Sequence, residues 1–327
     1  MTAHGVPASA TAPGRPATRA DLRTLRLPML IMVVLLVLAP FVVYPVFLMK
    51  MLCFALFACA FNLLIGYVGL LSFGHALFFG GAAYLAAHAA RVWGLPFELA
   101  VLTGTATAAV LGLVVGWLAI RRQGIYFAMI TLALAQMFYF YCLRAKFTGG
   151  EDGIQGVPRG KLLGVVPLDS NLSMYFVVLG IFLLGFLFIF RVIHSPFGQV
   201  LKAVRENEAR ATSLGYKADH YKLIAFVLSA VLSGLAGSTK SIVFQLASLT
   251  DVNWPTSGEV ILMVLLGGLG TIFGPVVGAV VIVVVENYLA QLGGWVPVVQ
   301  GALFVLCVLS FRRGIVGELS RVLHRPL

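Results

Sequence analysis

Long apolar runs are the feature that most constrains this sequence. A helix needs about 20 apolar residues to cross the hydrocarbon core of a bilayer. Runs of that kind lie near 28–48, 50–67, 70–90, 97–120, 124–143, 174–193 and 223–245. The chain is 60% hydrophobic and only 11% charged, whereas soluble domains are about 25% charged. The sequence therefore predicts an all-α, polytopic membrane protein with one membrane-embedded domain.

The apolar residues from 259 to 290 are too many for one span, and GGLGTIFGP (267–275) interrupts them. Glycine and proline are strong helix breakers, so we interpret this region as two shorter helices joined by a break. A last span is predicted near 296–311. The total is about 8–10 membrane helices, including broken or re-entrant ones. The sequence leaves the number of crossings between 259 and 311 open.

Lysine and arginine predict the orientation, because cytoplasmic loops carry an excess of both. Residues 1–27 are a basic tail that we expect to be disordered and cytoplasmic. Residues 28–311 form the transmembrane domain, and 312–327 form a second basic cytoplasmic tail. The loop 194–222 is then cytoplasmic as well. The net charge of +11 reflects this bias rather than nucleic-acid binding.

The most polar segment of the chain, AVRENEARATSLGY, lies in this predicted cytoplasmic loop. Ser195 and Pro196 suit a helix start, as N-cap and first-turn proline, and Gly215 suits a helix end. Glu206 and Arg210 would be i,i+4 partners. The pattern predicts one amphipathic helix of about 15 residues. It is either a solvated helix at the membrane interface or a docking element for a soluble partner.

Several segments together resemble one family of membrane proteins. The stretch SPFGQVLKAVRENEARATSLGY (195–216) resembles the cytoplasmic loop of ABC-transporter permeases of the branched-chain amino acid type. Further resemblances cover most of the chain after residue 50, in the same order: NLLIGYVGLLSFGHALFFGGAAY (62–84), GIYFAMITLALAQ (124–136), TGGEDGI (148–154) and EVILMVLLGGLGTIFGPVVGA (259–279). The chain is more similar to the LivM-like subunit of the permease pair than to the LivH-like one.

The resemblance implies a role for the polar helix. In the family, the segment that corresponds to Ala203 through Gly215 is the coupling motif that binds the ATPase subunit. The implied ATPase-coupling residues are Arg205, Glu206, Asn207, Glu208, Arg210 and Gly215. The implied partners are a homologous LivH-like permease subunit, two ABC ATPase subunits and a periplasmic or surface substrate-binding protein. The implied location is the bacterial cytoplasmic (inner) membrane, and the implied substrate is an amino acid.

No nucleotide site is expected in this chain. A P-loop reads GxxxxGK[ST] and cradles phosphate with backbone amides, but the nearest string, GLAGSTKS (234–241), has Thr239 where the last glycine must be. The motifs HExxH and GxSxG are absent, and the four cysteines lack a metal-ligand spacing. We therefore expect a transport subunit without catalytic residues, cofactor or metal, with ATP hydrolysis in partner subunits.

Polar side chains are costly in lipid, so those within spans usually face a bundle interior or a pathway. Helix breaks are a second sign, because their free backbone groups can contact a solute. The candidates for a substrate pathway are Asn62, Ser72, His75, Tyr126, Thr131, Gln136, Glu259, Gly267 and Gly268. Ordinary packing and helix–helix hydrogen bonding are the competing interpretation for these residues.

The leading hypothesis is the permease subunit of an ABC importer for branched-chain or other hydrophobic amino acids. One alternative keeps the machine and changes the substrate to urea, short amides or aromatic acids. Another alternative is an ion- or proton-coupled secondary transporter that acts alone. ATP dependence and co-purification with ATPase subunits would separate the first reading from the last.

Overall fold

The computed structural model describes residues 19–162, Gly164, 166–289 and 314–322, with a few isolated residues between 295 and 309. The span predicted near 296–311 therefore lies for the most part outside the described residues. Residues 1–18 of the predicted N-terminal tail and residues 323–327 of the predicted C-terminal tail also lie outside them.

The described chain is almost entirely helical, which confirms the all-α prediction. The helices are α1 (Arg19–Leu38), α2 (Pro45–Tyr67), α3 (His75–Arg91), α4 (Phe97–Ala119), α5 (Ile125–Arg144), α6 (Asn171–Ile193), α7 (Pro196–Glu206), α8 (Glu208–Ser213), α9 (Ala218–Val243), α10 (Trp254–Gly267), α11 (Gly274–Leu289) and α12 (Gly314–Val322).

Five of the described helices are long and apolar enough to cross a membrane, namely α2, α4, α5, α6 and α9. Helices α10 and α11 and the stretch Leu27–Phe41 are apolar but shorter. A chain with this many apolar helices is a multi-pass membrane protein, as the sequence predicts.

The predicted bounds of the first span, 28–48, are wrong. Helix α1 begins at Arg19, inside the predicted disordered tail, and ends at Leu38. Proline lacks the N–H that continues a helix and fits best in a first turn, so the two prolines beyond Leu38 favour an end there, although α1 accommodates Pro28 in its interior. Pro40 lies in the 3-10 turn that follows α1, and Pro45 is the first residue of α2.

Helix α2 forms the centre of the bundle. It is hydrophobic around its whole circumference and buried along most of its length, as expected for an interior helix. It packs against α6, α9, α10 and α11, while α3, α4 and α9 pack against one another. Helix α2 is therefore the element through which α6, α9, α10 and α11 are held together.

The apolar region from 259 to 290 forms two helices with a break, as predicted. The break covers residues 268–273, where Gly268 and Gly270 have φ angles of +124° and +73°, which favour glycine. Helices α10 and α11 approach each other closely behind the break. A Cβ atom on Gly278 would collide with the carbonyl oxygen of Met263.

The two ends of the bundle carry different structures. One end, called the α7–α8 end below, holds α7, α8, the α4–α5 connection and the α10–α11 break. The opposite end holds two short antiparallel strand pairs. Strand β1 (Ile154–Gln155) pairs with β4 (Leu246–Ala247), and β2 (Lys161–Leu162) pairs with β3 (Val166–Pro167). The first pair joins the α5–α6 connection to the α9–α10 connection.

The close approach of α10 and α11 predicts a strong penalty at Gly278. We expect Gly278→Ala to lower the stability of the detergent-solubilised chain by about 1–3 kcal/mol, because the added methyl overpacks the contact with Met263. The measurement is the midpoint of thermal unfolding. Gly258→Ala is the matched control, since Gly258 lies in α10 with open space around its Cβ position. Equal midpoints for both variants would contradict the prediction.

Candidate functional site

The polar segment forms two helices, so the predicted single helix of about 15 residues is wrong. The predicted start is confirmed: the Ser195 hydroxyl accepts a hydrogen bond from the Gly198 amide at 3.4 Å. Asn207 interrupts the segment with an extended backbone (φ −157°). Its side-chain oxygen accepts from the Arg210 amide at 2.9 Å and caps α8. Asparagine is among the best N-caps, which explains the break.

The inner faces of α7 and α8 fold onto the start of α9. Val204 of α7, Ala211 of α8 and Ala218 of α9 are buried against one another, with Val200 packed beside them. Leu201 is fully buried in a neighbouring cluster of the bundle. The helix pair is therefore a packed part of the protein and not a solvated loop.

Glu208 ties α8 to the rest of the α7–α8 end. One carboxylate oxygen accepts from the Lys222 ammonium at 2.5 Å, and the other accepts from the Gln123 amide at 2.9 Å. The side chain of Lys222, on α9, is only 4% exposed. Glu208 thus braces α8 against α9 and the α4–α5 connection. Neither contact could be read from the sequence, because each partner is far away along the chain or on another helix.

Arg205 ties α7 to α2 and to the α10–α11 break. Its guanidinium donates to the carbonyl oxygen of Gly66 at the end of α2. A cation at a helix C-terminus is favourable, because the last carbonyls lack partners within the helix. One turn earlier, the Asn62 amide donates to the Thr271 carbonyl at 2.9 Å and accepts from the Gly270 amide at 3.1 Å. We call these contacts the Arg205–Asn62 junction.

The outer surface of α7 and α8 faces away from the bundle. Glu206, Asn207, Arg210, Leu214 and Gly215 are exposed. Leu214 is a large apolar side chain with 72% exposure, and Gly215 ends the segment with a φ of +93°. The predicted ATPase-coupling residues are thus divided, since Arg205 and Glu208 bond inward and the others face outward.

Lys202 of α7 is partly exposed and lies on the side of the helix that faces Tyr67, the last residue of α2. Its ammonium nitrogen lies 5.7 Å from the centre of the Tyr67 ring, within the range of a cation–π contact. Partial burial lowers the pKa of Lys202, and nearby Glu206 opposes that shift.

His75, a pathway candidate, lies fully buried at the first residue of α3. Its Nε2 lies 2.9 Å from the Ser229 hydroxyl, which itself donates to the Ala60 carbonyl at 2.6 Å. Because the Ser229 hydroxyl donates its hydrogen to the Ala60 carbonyl, it accepts from Nε2, which is therefore the donor. This chain of two hydrogen bonds connects α3 to α9 and α9 to α2. The rings of Phe61, Phe78 and Phe226 pack edge-on around it.

The start of α3 is capped by hydroxyl groups from three helices or connections. The Phe73 amide donates to Thr131 at 3.2 Å, the Gly74 amide to Ser72 at 3.2 Å and the Ala76 amide to Ser257 at 2.9 Å. The backbone amides of Phe73, Gly74 and Ala76 at the start of α3 therefore already have hydrogen-bond partners within the protein. The role of Ser257 was missed, because a lone serine gives no sign of its distant partner.

The other pathway candidates are scattered. Asn62, Gly267 and Gly268 lie at the α10–α11 break, whereas Tyr126 is 68% exposed near the start of α5. The Gln136 amide nitrogen is buried without a hydrogen-bond partner in the described part of the chain. Glu259 lies on α10, towards the opposite end. The structure does not bring the nine candidates into one described cavity.

Two ion pairs at the opposite end were not predicted. Lys240 of α9 pairs with Asp251, and its ammonium lies 5.8 Å from the Phe54 ring centre and 5.7 Å from that of Phe79. Lys50 pairs with Glu286 at 3.0 Å. The sequence does contain a sign of the first pair: a lysine within an apolar span, such as Lys240 of GLAGSTKS in α9, requires an ionic partner.

The described residues hold no group of three or more His, Cys, Asp or Glu side chains that could bind a metal ion. Cys53, Cys59 and Cys142 are buried and unpaired, and they occupy the apolar interior. The hydrogen-bonded polar side chains described above cap helices or connect one helix to another.

The bundle and the braced helix pair at its end define a class: an integral membrane protein with a folded surface element tied to its helix ends. The comparisons with known proteins identify the family. The chain belongs to the family described as branched-chain amino acid transport system / permease component, whose model matches residues 46–308.

Curated relatives support the same assignment. The high-affinity branched-chain amino acid transport system permease protein LivM of Escherichia coli is 27% identical over 78% of this chain. The ribose import permease protein RbsC of Bacillus subtilis is 29% identical over 55% of this chain and 58% of its own length. The chain spans 65% of the length of the Escherichia coli relative. No solved structure matches the chain.

The brace formed by Glu208 predicts a local loss of protection. We expect Glu208→Gln to raise amide hydrogen exchange in α8 by an amount equivalent to about 1–3 kcal/mol, because it leaves the Lys222 charge buried without its ionic partner. Hydrogen–deuterium exchange of the detergent-solubilised chain measures the effect. Glu206→Gln serves as the control, since Glu206 is exposed on α7. An unchanged α8 in Glu208→Gln would show that the brace contributes nothing.

Proposed function

We propose that this chain is the membrane permease subunit of an ABC importer for branched-chain amino acids. Separate ATPase subunits dock on the outer surface of α7 and α8. The observation that carries the proposal is the Arg205–Asn62 junction, which connects this surface to α2 and the α10–α11 break. In this reading the α7–α8 end is cytoplasmic, as are both termini, and the membrane is the bacterial inner membrane.

The geometry supports a division of labour between docking and transmission. Exposed residues such as Leu214 and Arg210 meet the ATPase, because they project from the outer surface of the α7–α8 pair, away from the bundle. Glu208 holds α8 in place through Lys222 and Gln123. Arg205 passes a displacement of α7 to the end of α2, and Asn62 passes it to residues 270 and 271.

Partner subunits follow from the family and from the chain's own composition. The proposed machine contains a homologous LivH-like permease, two ABC ATPases and a periplasmic or surface substrate-binding protein. The string GLAGSTKS, the nearest to a P-loop, lies within the span α9, where Lys240 is bound to Asp251. A lysine held in this way is not available to a nucleotide, so this string offers no nucleotide site, and in the proposed machine the partner subunits hydrolyse ATP.

More than one class of solute is compatible with the proposed machine. The relatives named LivM favour branched-chain amino acids. A relative named for ribose import shows that similar chains serve other solutes. Urea, short amides and aromatic acids are therefore alternative substrates for the same machine. A stand-alone secondary transporter is less well supported, since the ion pairs Lys240–Asp251 and Lys50–Glu286 lie near helix ends and are already satisfied.

The docking surface predicts a loss of assembly. We expect Leu214→Ser and Arg210→Gln to reduce co-purification of the ATPase subunits and ATP-driven leucine uptake about ten-fold, because both residues face outward. Vesicles with the partner permease, the ATPases and the binding protein provide the measurement. Arg122→Gln, an exposed charge on the α4–α5 connection, is the control. Uptake by this chain alone without ATP would overturn the proposal, whereas assembly without leucine uptake would change only the substrate.

The junction predicts a different defect. We expect Arg205→Gln to keep ATPase co-purification and ATP hydrolysis but to lower leucine uptake about ten-fold. The reason is that glutamine removes the charged hydrogen bond from residue 205 to the Gly66 carbonyl. Arg205→Lys keeps a cationic donor and should recover part of the uptake. Uptake per ATP hydrolysed is the measured ratio. Parallel loss of co-purification and uptake would place Arg205 in docking and contradict its role in transmission.

A further inference from the structure

A cavity between α4 and α9 lies where these spans reach the α7–α8 end. Its volume is about 270 Å³, and no role in the proposed transport cycle is assigned to it. The residues that line it are Gly116, Trp117, Ile120, Arg121, Asp219, His220 and Leu223. The inner wall is apolar and the outer rim is polar, so the cavity suits an amphipathic ligand.

The polar rim is adapted to an anionic group. The central guanidinium carbon of Arg121 lies over the Trp117 ring, 4.8 Å from its centre, within the range of a cation–π contact. A guanidinium offers five N–H donors in a planar fork, the arrangement that makes two-point contacts with phosphate oxygens. His220 lies on the rim beside Arg121, and Asp219 is the one carboxylate among the lining residues.

The apolar wall continues along the span. Val110, Leu113, Val114 and Trp117 are exposed at helical spacing on α4, and this stripe ends at Arg121. An exposed apolar stripe on a membrane-spanning helix matches acyl chains, while tryptophan and arginine are typical of the membrane–water interface. The stripe and the rim together have the length and polarity of a lipid: acyl chain below, headgroup above.

We infer that the α4–α9 cavity binds one anionic phospholipid of the surrounding bilayer, with its phosphate on Arg121 and an acyl chain along the α4 stripe. Sites between spanning helices that present basic side chains at the membrane surface are a recognised form of anionic headgroup site, and Arg121 is the basic side chain of this cavity. The site does not depend on the transported substrate or on the ATPase partner. It places a lipid contact on α9, the helix whose Lys222 holds Glu208.

The test uses the full-length chain purified in neutral detergent and incubated with equal amounts of phosphatidylglycerol and phosphatidylcholine. Native mass spectrometry counts the lipids that remain bound. We expect preferential retention of phosphatidylglycerol and about a five-fold weaker retention in Arg121→Gln, the effect of one arginine at a membrane surface. Trp117→Leu, which keeps the apolar wall but removes the ring of the cation–π contact, should weaken retention as well. Arg122→Gln should match the wild type.

Three outcomes would overturn the inference. Equal retention of the two lipids by the wild type would remove the anionic selectivity. Equal losses in Arg121→Gln and Arg122→Gln would indicate diffuse surface charge instead of a site. Displacement of phosphatidylglycerol by excess glycerol 3-phosphate would make the cavity a site for a free phosphate ester. The wild-type arms decide the first and third outcomes even if a variant fails to fold.

Discussion

Every backbone N–H and C=O inside a bilayer must find a partner within the protein, and this requirement governs the structure wherever a helix breaks. Two breaks occur in the described bundle, before α3 and between α10 and α11. Hydroxyl groups of Ser72, Thr131 and Ser257 satisfy the first. The Asn62 amide satisfies the second by donating to one backbone group and accepting from another. Polar residues in the spans thus act first as substitutes for the missing helical hydrogen bonds.

This requirement links local structure to a mechanical connection. The end of α2 leaves carbonyl groups without helical partners, and Arg205 supplies a donor from α7, a separate surface helix. A contact that completes the backbone of one element from another is hard to lose without cost, because the freed carbonyl stays buried or half-buried. The α7–α8 pair is therefore bound to the bundle by a hydrogen bond that also completes the C-terminal end of α2.

The sequence predicts features that depend on local rules, and it misses features that depend on distant partners. Ser195 as an N-cap and the break at 267–275 follow from neighbouring residues, and both were found. The sequence predicts one helix through Asn207, because apolar residues before and after it share one face at helical spacing, whereas Asn207 caps a new helix. Lys222 and Gln123 could not be assigned to Glu208, since nothing in the intervening sequence specifies which helices meet.

The position of α2 decides where a displacement of Arg205 goes. Interiors are close-packed, so a buried helix that touches α6, α9, α10 and α11 cannot absorb a shift by local deformation. The α10–α11 break is different, because Gly268 and Gly270 occupy backbone conformations that only glycine adopts readily. Asn62 bonds α2 to this glycine-containing segment. In the proposed function, a displacement of α7 reaches the glycine-containing α10–α11 break through Arg205, α2 and Asn62.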